Sequence, residues 1–263
     1  MGFFDRFRSS KSLGNKGYKL MKERKYEKAL IYLDKALELD LEDISSLHNK
    51  GVVLSYIGDG ENAVSFLDKA LELNPKNVNV WHDKGFILME FEKYDEAIEN
   101  FNKALELDPQ NVRVLFNKGL LFGKNKKYQE SMECFDRVLE IDPKNAEAWS
   151  GKGLNLSSLE KYEEALNCYN KSLKLFKYDI MAWNSKGYVL EKLERYNEAL
   201  KCFEKVLKID PSNFNAWYLK GETFKELKRY CESLECYNKT LELNPDFEFA
   251  LKAKEEVLKL MEK

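Results

Sequence analysis

The sequence predicts an all-α solenoid, and three observations carry that reading. A Lys-Gly pair returns every 34 residues, at Lys16-Gly17, Lys50-Gly51, Lys84-Gly85, Lys118-Gly119, Lys152-Gly153, Lys186-Gly187 and Lys220-Gly221. Apolar residues fall at i, i+4, i+7 around each glycine, the spacing of one helix face. All five prolines (Pro75, Pro109, Pro143, Pro211, Pro245) occupy one slot of the period. Seven returns without slippage mean seven copies of one supersecondary unit, and a period of about 20–50 residues marks a stacked repeat array. Function then has to lie on a surface assembled from several repeats.

The 34-residue unit overrides the length prior of one to two ordinary domains for 263 residues. Charged residues make up 33% with a net charge of −2, a mixed-sign surface without the basic excess of a nucleic-acid binder. Met1–Ser10 lacks the apolar core and cleavage site of a signal peptide. No apolar run approaches the roughly 20 residues of a membrane span. A cytoplasmic protein without nucleic-acid partners is the expectation.

The first ten residues, MGFFDRFRSS, place Phe3, Phe4 and Phe7 on one helical face opposite Asp5, Arg6 and Arg8. Four readings stay open for residues 1–9: a hydrophobic cap over the first repeat, a tail docking into a groove of another copy, weak attachment to a membrane surface, or disorder without a role. Seven repeats follow, at 10–43, 44–77, 78–111, 112–145, 146–179, 180–213 and 214–247.

Each repeat starts after a capping residue: Ser9, Asp43, Asn77, Asn111, Asn145, Asp179 and Asn213. Such side chains accept a bond from an orphan N–H of the first helical turn. The first helix then carries a large residue, with all four tryptophans (Trp81, Trp149, Trp183, Trp217) in that slot. The glycine comes four residues later. Glycine inside a helix costs about 1 kcal/mol relative to alanine, so its recurrence implies a close helix approach. The second helix begins near a tyrosine (Tyr26, Tyr94, Tyr128, Tyr162, Tyr196, Tyr230), with Gly60 as the exception. Acids such as Asp95 and Glu96 follow in its first turn and complement the helix dipole. A small residue (Ala29, Ala63, Ala97, Ser131, Ala165, Ala199, Ser233) is the expected partner of the glycine. The proline slot ends the helix, since proline lacks an N–H and disfavours helix in the residue before it. Leu41 and Lys177 replace it, so the 174–179 junction is expected to be the least regular. Residues 248–263 read as a capping helix, with Glu255 where the glycine would stand.

Four cysteines, Cys134, Cys168, Cys202 and Cys236, are also 34 apart. Equivalent helices in a stack lie about 8–10 Å apart, beyond the ~7 Å Cα reach of a disulfide, so these read as reduced structural residues. The two histidines, His48 and His82, have no third ligand nearby in sequence. No metal site, cofactor, small-molecule substrate or catalytic motif is expected.

Trp81, Gly85, Leu88, Tyr94, Ala97, Phe101, Ala104 and Pro109 resemble the tetratricopeptide repeat (TPR) pattern residue by residue. The resemblance spans Ser10 to Phe247. It implies a right-handed superhelical solenoid of helix-turn-helix repeats that acts as a protein-interaction scaffold, with the first helices lining a concave groove for a peptide or partner helix. Lysine before the glycine departs from the usual apolar residue. It lies about 60° off the core face, so its stem is expected to pack while its ammonium reaches an acid or water.

Groove-facing slots on the first helices supply the candidate site: Asn15, Tyr18, His48, Asn49, His82, Asp83, Phe86, Phe116, Asn117, Tyr188 and Tyr218. Primary amides one repeat apart offer a donor and an acceptor each to an extended peptide backbone; equally, asparagine is common at this slot of the family pattern. The Lys and Asn four apart that the family's carboxylate clamp needs are absent, which favours an apolar or main-chain ligand. Self-assembly through Phe3, Phe4 and Phe7, or by end-to-end stacking, is the alternative reading.

Overall fold

A computed structural model describes residues 3–262, with side chains described from Arg8 onward. Among the described residues the chain forms fifteen α-helices in two compact units, Met1–Asn125 and Lys126–Lys263. The first unit holds α1 (Phe3–Lys22), α2 (Tyr26–Leu39), α3 (Ile44–Tyr56), α4 (Gly60–Leu73), α5 (Val78–Glu90), α6 (Tyr94–Leu107) and α7 (Val112–Lys124). The second holds α8 (Tyr128–Ile141), α9 (Ala146–Ser158), α10 (Tyr162–Leu175), α11 (Ile180–Lys192), α12 (Tyr196–Ile209), α13 (Phe214–Glu226), α14 (Tyr230–Leu243) and α15 (Glu248–Met261). Within each unit a helix packs on the next in sequence and, for the first helices, on the first helix two places on, as α3 does on α5. The first helices therefore share one face.

Six of the seven expected caps form. Asp43, Asn77, Asn111, Asn145, Asp179 and Asn213 each accept from a backbone N–H in the first turn of α3, α5, α7, α9, α11 and α13. Ser9 does not, because α1 already runs from Phe3 and places Ser9 inside the helix. The side chains of Phe3, Phe4 and Phe7 lie outside the described residues.

Sequence reading missed how the first helices end. Arg24, Glu92, Lys126, Glu160, Glu194 and Lys228 adopt φ of 57–60°, and Gly58 stands in the same slot at φ 87°. The left-handed residue lets the following N–H reach back five positions, as Arg195 N does to Leu190 O at 2.8 Å. That satisfies an otherwise unpaired helix-end carbonyl.

The glycine's partner also differs from expectation. A Cβ on Gly51 would meet Leu67 Cγ at 2.8 Å and the Ala63 carbonyl oxygen at 2.9 Å. The neighbour is thus the large residue four places after the alanine, plus the alanine's backbone. On Gly187 a Cβ would meet the Phe203 ring at 2.5 Å. Phe203 is fully buried, as are Leu33, Leu67, Phe101, Tyr169 and Tyr237 in the same slot, so these rings and leucines, seated over the glycines, form the core.

The 174–179 junction is as regular as the others. Phe176 N donates to Ser172 O at 2.8 Å, matching Asp142 N to Val138 O at 2.8 Å. Trp183 Nε1 donates to Lys177 O at 2.9 Å, as Trp81 does to Pro75 O at 2.8 Å and Trp217 to Pro211 O at 3.1 Å. The turn is held by its carbonyl and the tryptophan, so a residue other than proline closes it.

In five of the seven repeats the recurring lysine meets a side chain of the preceding second helix. Lys50 Nζ lies 2.5 Å from Asp34, Lys84 2.6 Å from Asp68, Lys152 2.5 Å from Asp136 and Lys220 3.6 Å from Glu204. Lys118 donates to Asn102 at 2.6 Å. Lys16 instead covers the Tyr32 ring at 4.2 Å. α15 buries Ala250, Ala253 and Val257, while Glu255 is exposed.

Candidate functional site

In the first unit the shared face of α1, α3, α5 and α7 encloses a cleft of about 380 Å³. Tyr18 and Met21 from α1, His48, Asn49 and Val52 from α3, Asp83 and Phe86 from α5, and Arg113 from α7 line it. Tyr18 and Phe86 are exposed at 44% and 39%. Large rings left open to water beside amides and a guanidinium make a surface for a ligand with both apolar and polar groups. Lys22 Nζ stands 5.3 Å from the Tyr18 ring centroid, and Tyr56 stacks on Tyr26 at 5.1 Å.

Asp83 sits at the centre of the cleft's polar wall. His48 Nε2 donates to its Oδ2 at 2.8 Å, and His82 Nδ1 donates to its Oδ1 at 2.7 Å. With Nδ1 donating, His82 Nε2 is left to accept from Asn117 Nδ2 at 2.7 Å. Arg113 approaches Asp83 at 3.4 Å and Asn79 Oδ1 at 3.3 Å. Burial alone would raise the Asp83 carboxyl pKa, but the hydrogen bonds from His48 and His82 outweigh it and hold it far below the usual carboxylate range. One carboxylate thereby joins three consecutive first helices, with both of its oxygens engaged.

The structure separates the sequence candidates into groups. Tyr18, His48, Asn49, Asp83 and Phe86 meet in this cleft. Asn15 lines a neighbouring one of about 260 Å³ with Gly14, Asp43 and Asn49. His82 is buried between Phe86 and Phe101, with ring centroids 6.5 and 5.8 Å away, so it braces Asp83 from behind. Asn117 is engaged by His82, and Phe116 is half-buried on α7.

In the second unit Tyr188 lines a cleft of about 320 Å³ with Leu154, Asn184, Asn215 and Leu219. Tyr169 also lines this cleft, and burial, only partly offset by Ser185, pushes its hydroxyl pKa up to about 12. Tyr218 does not join it: its ring packs against Tyr237 and Phe247 at 6.1 and 5.2 Å.

Arg113 and Asn79 were not among the sequence candidates. Asn79, Asp83 and Phe86 fall at i, i+4, i+7, so extending the groove face one turn toward the helix start would have found Asn79, and Arg113 occupies the same slot one repeat on. Among the described residues no helix is long and apolar enough to cross a membrane. No group of three or more His, Cys, Asp or Glu among them is placed to hold a metal ion.

The comparisons agree with this architecture. Tetratricopeptide repeat families match residues 10–43 and 44–77, and again 180–213 and 214–247. The TPR domain of cytochrome c-type biogenesis protein H matches residues 66–183. No curated protein matches the chain. Among solved structures, a tetratricopeptide repeat protein from Parabacteroides merdae is 18% identical with a TM-score of 0.73, over 95% of this chain and 99% of that one. YrrB, described as a TPR protein with an unusual peptide-binding site, is 26% identical with a TM-score of 0.58, over 72% of this chain and 97% of that one. Yeast Tom70 is 21% identical with a TM-score of 0.63, over 98% of this chain and 55% of that one. With its 34-residue helix pairs, its glycine-seated rings and these matches, the chain belongs to the tetratricopeptide repeat family.

Proposed function

We propose that this protein is a non-enzymatic interaction scaffold whose first unit holds an extended peptide in the cleft between Tyr18 and Phe86. The observation that carries it is the pairing of open aromatic rings with the amide of Asn49 and the guanidinium of Arg113 in one 380 Å³ cleft. The rings take an apolar side chain, Asn49 bonds the peptide backbone, and Arg113 with Lys22 favours an acidic group in the ligand, because Asp83 is already satisfied by two histidines. The peptide-binding site attributed to YrrB supports this reading. Buried thiols at Cys168, Cys202 and Cys236 suit a reducing cytoplasm.

The test is selection of peptides from a displayed library on the full-length protein. Selected sequences are expected to pair an aromatic or aliphatic residue with an acidic one. Binding should fall at least about tenfold in Phe86→Ala with Asn49→Ala, in line with the loss of one buried aromatic anchor. Peptides that bind the double variant as tightly as the parent would remove the cleft from the reading.

A further inference from the structure

The junction between α10 and α11 breaks the pattern of the other turns in its surface residues. The residue after the second helix is Asp40, Asn74, Asp108, Asp142, Asp210 or Asn244 in the other repeats, and Phe176 here. At Asp40, Asn74, Asp142 and Asp210 the side chain accepts from the N–H two residues on, at 3.1–3.2 Å. Phe176 forgoes that bond and is 52% exposed. Two residues on, Glu42, Lys76, Gln110, Lys144, Ser212 and Asp246 are replaced by Tyr178, 57% exposed. Met181 is 76% exposed, in a slot that holds Ser45, Asn79, Arg113, Glu147 and Asn215, and Phe249 in α15. Leu175 adds to the patch. Because the backbone of this turn closes as the others do, folding does not account for these side chains.

Charge changes at the same place. The slot of Glu38, Glu72, Glu106, Glu140 and Glu242 becomes Lys174 here and Lys208 one repeat on. Lys177 lies within the turn, and Lys171, one turn before Lys174, stands over the Trp149 ring at 3.9 Å. Asp179, the acid within the turn, spends its carboxylate capping α11 through Ala182 N at 3.0 Å. Exposed apolar groups among cations mark an interaction surface.

We infer that this turn docks the protein on an anionic membrane surface. Phenylalanine, tyrosine and methionine at the tip of a turn fit the headgroup boundary, where aromatic residues concentrate. Lysines are flexible point charges that match a diffuse layer of phosphate and carboxylate headgroups, whereas a fixed carboxylate on a protein partner is better matched by the arginine fork. The site is independent of the cleft in the first unit and of Phe3, Phe4 and Phe7.

Flotation of the full-length protein with phosphatidylcholine vesicles, with and without phosphatidylserine, tests it. Wild type should float with the phosphatidylserine vesicles and lose them at high salt. Phe176→Asp with Tyr178→Lys installs residues that the same slots hold in other repeats, so its thermal midpoint should not fall. Its partitioning should drop at least about tenfold. Lys174→Glu with Lys177→Glu should drop it by a similar factor. Wild type that fails to float, variants that float as well as wild type, or capture by an acidic polypeptide such as polyglutamate in place of vesicles would each overturn the proposal.

Discussion

His48 Nε2 lies 2.8 Å from Asp83 Oδ2, and the bond crosses from the first helix of one repeat to the first helix of the next. With His82 and Arg113 on the same carboxylate, the contact ties α3, α5 and α7 together and engages both carboxylate oxygens of the cleft wall. Asp83→Ala leaves the buried His82 without its acceptor, which should cost about 1–3 kcal/mol in urea unfolding. Because the folded-state pKa of Asp83 is depressed, its contribution is complete above the unfolded value of about 3.9 and lost as pH falls below it. Asp83→Asn should therefore lower stability at neutral pH and shrink the stability lost between neutral pH and about pH 3.

Gly51→Ala separates helix propensity from packing. Alanine is favoured by about 1 kcal/mol in an isolated helix. Here its Cβ would press on the Ala63 carbonyl oxygen at 2.9 Å, a backbone atom that cannot rotate away. A net loss of about 1–3 kcal/mol is expected. An unchanged or higher denaturation midpoint would contradict close helix contact as the reason for the glycine.

The lysine ladder should matter little to stability despite its regularity. Lys84 and Asp68 are 2.6 Å apart, but Asp68 is 46% exposed, so water screens the pair. A double-mutant cycle of Lys84→Met and Asp68→Ala should give a coupling of about 0.2–1 kcal/mol that shrinks with added salt. A larger, salt-insensitive coupling would assign the lysine a structural role beyond the surface pair.

Thiol labelling reads the second unit's core directly. Cys231 is exposed. Burial pushes the thiols of Cys202 and Cys236 up to about 11 and raises that of Cys168. In native protein at pH 8, iodoacetamide should modify Cys231 first, and these three should react only on unfolding. Mass spectrometry of the labelled peptides decides it.

Much of the fold was legible because helix starts and close approaches are local. Asn77 and Asn145 announce their helices through side chains that can bond only the first turn, and Gly85 marks where another helix must come near. Expectations failed where the deciding partner is remote or where several devices perform one task. Lys177 was expected to loosen its junction, yet the Trp183 indole holds its carbonyl. The left-handed turn residues, such as Glu194, carry no glycine to reveal them. In the cleft, Tyr18 and Phe86 follow from helical angle once the repeat resemblance supplies a groove, and Asn79 and Arg113 lie one turn further along the same face, where the sequence reading did not extend.

The sequence by itself determined the repeat and its 34-residue length, from the spacing of the Lys-Gly pairs, and six of the seven caps and the all-α class, from residues a few positions apart. Tertiary structure decided which angles around each first helix remain open. His82 and Phe86 lie four apart on α5, and neighbouring helices cover the first and leave the second exposed. Tertiary structure likewise paired Lys50 with Asp34, 16 residues away, and left Phe176 52% exposed at its turn. The physical reason is the same in each case. Periodicity sets the direction of a side chain from its own axis, and only the packing of neighbouring helices sets what it meets there.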